Sequence, residues 1–198
     1  MQFYLEQAQS FDGTQLDDKN LRQQLKQYGL DARRFSRFTQ LALLGALPLR
    51  AQMNEQTAIY LGSPFNSPSK FDKMFSQLML HNQPSPLDFM ANINNGTTFQ
   101  LAQAIASQGN SVFLALNQQN YWQPLQLALL DLYLGEAQQA LVGWALEHPQ
   151  QKEGSCFWLI SREVKSAVKN LKVFQSLPAD GNYLCITGTD FLAPAENQ

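Results

Sequence analysis

Histidine and cysteine are almost absent, with two of each in 198 residues. Metal centres and acid-base sites are built from such side chains at short, fixed spacings, whereas His81, His148, Cys156 and Cys185 stand apart along the chain. The two cysteines lie in separate apolar segments and are expected to be buried thiols, neither a disulfide nor a nucleophile. The two histidines are expected on loops or at the surface. Charge is scarce as well: 14 lysines and arginines against 16 acids give a net charge of -2, and charged residues make up 15% of the chain. With the cations spread thinly, no basic stripe is available to neutralise a phosphate backbone, which argues against a nucleic-acid partner. Gly62, Gly96 and Gly109 are isolated and belong to no glycine-rich phosphate loop, so no nucleotide cofactor is implied. Asp17, Asp18 and the run 88–95, with its single acid Asp88, lack a second ligand at helical offset and read as solvated surface. Long hydrophobic runs are missing too. The longest is broken by Gly45 and Pro48, short of the roughly 18 to 20 apolar residues that cross a bilayer, and residues 1–10 lack the basic start and apolar core of a signal peptide. These absences lead to the expectation of a soluble, cytoplasmic protein without membrane span, metal or cofactor.

What the chain does have is apolar content, 44% of its residues, enough for one well-buried domain, expected over 1–192 with a frayed tail at 193–198. Residues 3–8 read as a strand, and 17–27 as a polar helix that Asp17 or Asp18 caps. A helix over 33–47 places Phe35, Phe38, Leu41, Ala42 and Gly45 on one face and stops at Pro48. A buried strand follows at 57–61. Phe71, Met74, Phe75, Leu78 and Met79 have the spacing of a helix at 69–80 that buries one face. A helical stretch at 89–107, a buried strand at 111–116, an apolar helix at 122–135 ended by Gly135, and strands at 141–146 and 156–161 complete the pattern. The segment 163–171 has helical character and 183–187 that of a last strand. Strands alternating with helices imply an α/β domain with a mostly parallel central sheet covered by helices.

Three ordered features carry a family likeness. Ser85-Pro86-Leu87-Asp88-Phe89 is a turn that leads into a helix containing Asn95-Gly96; Gly109 and Asn110 bound the strand Ser111-Val112-Phe113-Leu114-Ala115-Leu116; and Ala128 lies in a helix ending at Gly135-Glu136, followed by the strand Ala140-Leu141-Val142-Gly143. Upstream, Arg33-Arg34-Phe35-Ser36-Arg37 and Thr57-Ala58-Ile59-Tyr60-Leu61-Gly62-Ser63 agree more loosely. In this order the segments resemble the N-terminal half of the β-ketoacyl synthases, the condensing enzymes of fatty acid and polyketide synthesis. The resemblance implies a thiolase-like half-fold. It also implies a loss of chemistry: the family's spacing back from Ala128 puts the nucleophilic cysteine at Gln118, and an amide cannot form the thioester. The catalytic histidines of the family come from a C-terminal half to which nothing here corresponds, and neither His81 nor His148 matches a family motif.

Glutamine at that position is also the replacement found in chain-length factors, the inactive subunits that pair with active ketosynthases, nucleophile strand against nucleophile strand, and shape the end of the acyl tunnel. The resemblance therefore implies a non-catalytic subunit with a full-length β-ketoacyl synthase as heterodimer partner and an acyl carrier protein as transient partner. The pathway would be of polyketide or fatty-acid type, with aryl polyene synthesis as one example. Gln118, Phe89, Phe113, Tyr121 and Trp122 are the candidates for partner interface or tunnel lining, although Gln118 also fits a simple turn residue and the aromatics also fit a core. Two other functions stay open at this stage: a divergent condensing or acyl-transfer enzyme with Cys156 as nucleophile, and a module that binds an acyl ligand.

Overall fold

The computed structural model describes residues 3–117, 119–148, 152–162 and 169–170. Gln118, Cys185 and most of the segment after Ser161, with its expected strand and frayed end, lie outside the described residues. The elements follow one another as β1 (Tyr4–Asp12), α1 (Asp18–Gln27), α2 (Arg37–Ala46), a 3-10 helix (Leu47–Gln52), β2 (Ala58–Ser63), α3 (Pro68–His81), α4 (Pro86–Ala91), α5 (Gly96–Ile105), β3 (Ser111–Ala115), α6 (Gln123–Leu134), β4 (Gln139–Leu146), β5 (Gly154–Ser161) and β6 (Lys169–Asn170).

One six-stranded sheet runs β3-β2-β4-β5-β1-β6. Parallel pairing is confined to β3-β2-β4, and β4/β5, β5/β1 and β1/β6 are antiparallel, so the sheet is mixed. Lys169 and Asn170, inside a segment expected to be helical, are instead extended and pair with Leu5 and Tyr4.

Side chains alternate between the two faces of each strand, and here both faces are covered. Tyr60, Val142, Trp144, Trp158 and Ile160 pack with α6 on one side. Ile59, Leu61, Leu141, Phe157 and Leu159 pack with α1, α2 and α5 on the other. That double coverage explains why β2, β4 and β5 read as unbroken apolar runs. Phe157 occupies the tightest place. It lies opposite Gly143 in the register; a Cβ on Gly143 would overlap its ring, and a Cβ on Gly45 of α2 would collide with Ser155 Oγ beside it. Two glycines thus admit one phenylalanine between helix and sheet. Ser155 Oγ donates to Leu41 C=O at 2.7 Å and fixes the crossing.

The helix boundaries follow from capping. Asp17 accepts from Asn20 N–H and starts α1. Ser36 accepts from Thr39 N–H, so α2 begins at Arg37 and not at Arg33. Pro48 does not end the helical path; it enters the first turn of the 3-10 helix, where a missing N–H costs no bond. The helical stretch expected over 89–107 is two helices, α4 and α5, because Asn92 and Ile93 close turns onto Phe89 and Met90. Gly135 takes the left-handed conformation, φ 82°, that closes α6.

Candidate functional site

β3 is the end strand of the sheet, hydrogen-bonded to β2 alone among the described residues. Asn110 C=O accepts from Ile59 N–H and Leu116 N–H donates to Ser63 C=O. Successive peptide groups of a strand alternate in direction, so the N–H and C=O groups of Ser111, Phe113 and Ala115 face the free edge. The strand is half-buried over Ser111–Leu114, and Ala115 is exposed, in contrast to the fully buried strand expected. An exposed edge of this kind is a template for pairing with another chain.

Two apolar grooves flank the edge, one on each face of β3. The first, of about 410 Å³, is lined by Phe65, Phe71, Met74, Phe89, Ile93 and Phe113, among others. Phe113 forms its floor, in edge-to-face contact with Phe38 at 6.3 Å. Phe65, Phe71 and Phe75 make an aromatic ladder, with centroids 5.6 and 6.0 Å apart. The second groove, of about 700 Å³, is lined by Leu114, Trp122, Leu127, Leu130 and Tyr133, among others, with no charged side chain among the described residues that line it.

The helix expected at 69–80 is present as α3, but its apolar stripe is not buried: none of its residues is. Met79 and Leu80 are 65% and 75% exposed, and Leu87, Phe89 and Met90 of α4 are exposed as well. The main packing partner of α3 is α4, and Lys70 and Lys73 reach the buried Asp88 at 3.9 and 3.5 Å. Exposed apolar side chains grouped on neighbouring helices in this way are the kind of surface that another molecule can cover.

Of the residues singled out by sequence, Phe89 and Phe113 come together in the first groove and Trp122 lines the second. Tyr121 does not belong to either. It is buried in the core, where its carbonyl accepts from Trp144 Nε1 at 2.5 Å; an aromatic next to a turn reads the same in sequence whether it points in or out. The turn after β3 is braced on both sides of position 118: Asn117 Oδ1 accepts from Gln119 N–H and Asn120 N–H, and Asn120 Oδ1 from Asn117 N–H. Cys156 is buried in the α6-side core. His81 is exposed at the end of α3, and His148 is half-buried after β4.

Sequence reasoning missed two features. Lys19, Arg22 and Lys26 gather along one cleft with the Arg33–Asp31 ion pair, a clustering of the three cations that their i, i+3, i+7 spacing on α1 could have signalled. The other is Glu147, a buried acid just after β4 that accepts from Phe38 N–H and Ser69 N–H. Burial holds its carboxyl above the usual carboxylate range despite these bonds, with the nearby Glu153 adding to the shift. Glu153 itself is paired with Arg37, which also reaches Asp18 at 2.7 Å.

Neither a protein-family model nor a curated protein matches the sequence. Solved structures do match. A chain of the ishigamide ketosynthase/chain length factor superposes with a TM-score of 0.67 at 14% identity, covering 86% of this chain and 65% of that one. A chain of the ketosynthase in complex with its chain length factor from Xenorhabdus doucetiae gives 0.66 at 14% identity, covering 93% of this chain and 90% of that one. The ketosynthase from module 1 of the bacillaene synthase from Bacillus amyloliquefaciens gives 0.57 at 15% identity, with 81% of this chain covering 42% of that one. The chain thus has the ketosynthase, thiolase-like fold, spans under two thirds of the first and last of these structures, and is close in length to the matched chain of the second. No helix among the described residues is long and apolar enough to cross a membrane.

Proposed function

We propose that this chain is a non-catalytic, chain-length-factor-like subunit that pairs with an active β-ketoacyl synthase and shapes its acyl tunnel. The observation that carries the proposal is the free edge of β3 between two apolar grooves. Backbone groups on that edge offer the pairing, and the grooves supply the apolar area that a stable heterodimer needs on both sides of it. The family spacing that puts Gln118 at the nucleophile position supports the absence of a thioester step. The chain of similar length in a ketosynthase–chain length factor complex supports the pairing. Phe113 and Phe89, on the floor and wall of the first groove, are the side chains that would meet the end of a growing chain. An acyl carrier protein would be the transient partner, and the cleft holding Lys19, Arg22 and Lys26, with Arg33 paired to Asp31 beside them, has the net positive charge to attract an acidic one.

The enzyme alternative, with Cys156 as nucleophile, is disfavoured by the burial of that thiol in the core. The tunnel reading is tested in a pair reconstituted with the active synthase. Phe89 is 64% exposed, so its replacement leaves the fold intact: Phe89→Ala is expected to shift the products longer by at least one extension unit, and Phe89→Trp to shift them shorter, as read by mass spectrometry of carrier-bound products. Unchanged products from both variants would remove Phe89 from the tunnel.

A further inference from the structure

The first N–H groups of a helix have no partner within it. α2 and α3 begin beside one another near the end of β4, and one carboxylate serves both: Glu147 Oε2 accepts from Phe38 N–H at 2.9 Å and Oε1 from Ser69 N–H at 3.1 Å. The negative charge suits two helix N-termini at once, and Arg37, the adjacent cation, is committed to Glu153 and Asp18. A second link runs beside it. Ser67, the residue before α3, is held in the left-handed conformation at φ 55° and donates from Oγ to Ser36 Oγ at 2.8 Å. From there hydroxyl bonds pass to Thr39 at 2.9 Å and on to Thr97 in α5 at 2.7 Å.

The two helices differ in what else holds them. α2 is buried from Phe38 to Ala46, whereas α3 has no buried residue. The N-terminal joint is therefore the main tie between α3 and the sheet. We propose that Glu147 is a clamp that sets the position of α3, and with it the aromatic wall of the first groove; it is a positioning residue of the docking surface. The clamp is a property of the chain alone, and only its consequence for pairing rests on the function proposed above.

The test is hydrogen exchange on the full chain carrying Glu147→Met, which keeps the size and removes both acceptors, or Glu147→Gln, which keeps one. In the Met variant the amides at the start of α3 are expected to exchange about ten- to hundredfold faster, the size of a lost bond to a charged acceptor, while those of β4 and β5 hold their rates. In the Gln variant one carbonyl oxygen can serve only one helix, so either the Phe38 or the Ser69 amide accelerates and the other does not. That split would persist even if removal of a buried charge raised global stability. No acceleration in either variant, or a uniform rise across α3, β4 and β5, would overturn the clamp. If the docking reading is also right, the Met variant binds the synthase about tenfold more weakly; normal binding with fast α3 exchange would refute the docking reading and leave the clamp standing.

Discussion

Ala115→Pro is expected to leave the chain folded and to weaken its complex with an active ketosynthase at least about a hundredfold, the scale of a lost buried hydrogen bond plus a disrupted strand approach. The substitution is chosen for its direction. Ala115 points its N–H to the free edge, at the exposed end of β3, so proline removes a donor that the sheet does not use among the described residues. Leu114 is already extended, the conformation that a residue before proline prefers. Size-exclusion chromatography and circular dichroism check the two halves of the expectation. Wild-type affinity in a folded variant would show that the partner does not add a strand at this edge.

Gly143→Ala should destabilise the chain by about 3 kcal/mol, the upper range for forcing a methyl group into a packed core. Nothing near Gly143 can yield cheaply. The Phe157 ring covers it, α2 backs that same ring at Gly45, and β5 is buried throughout, β4 from Gln139 to Ala145. Because typical domains hold only about 5 to 15 kcal/mol in reserve, the variant is expected to unfold at markedly lower urea concentration. Phe157→Leu in the same chain should recover part of the loss, since the clash is with that one ring. A midpoint within error of wild type would mean that β4 and β5 can separate to accommodate the methyl.

The sequence made the body of the fold legible because burial on both faces of β2, β4 and β5 leaves apolar runs that few other structures tolerate. It did not reveal strand direction. A strand covered on both faces has the same composition whether its neighbour is parallel or antiparallel, so the antiparallel pairing of β5 and β1 was hidden within an expected, mostly parallel sheet. α3 shows a related limit. Its Phe71–Met79 stripe has helical period, and period records that a helix is two-faced without recording what covers the apolar face; here the described chain leaves it open. For the site, the Ser85-Pro86 turn singles out Phe89, and closeness to position 118 singles out Phe113 and Trp122; the fold sets these three on the two grooves, while Tyr121 next door is packed in the α6-side core. Glu147 left no sequence signal, since its role comes from two helix starts brought together across 109 and 78 residues.

The most direct measurement is co-expression of this chain with an active, full-length ketosynthase, followed by size-exclusion chromatography and intact mass of each subunit after exposure to an acyl thioester. A stable one-to-one complex in which only the ketosynthase gains the acyl mass is the expected result. A chain that elutes alone and acylates itself would contradict the proposed function.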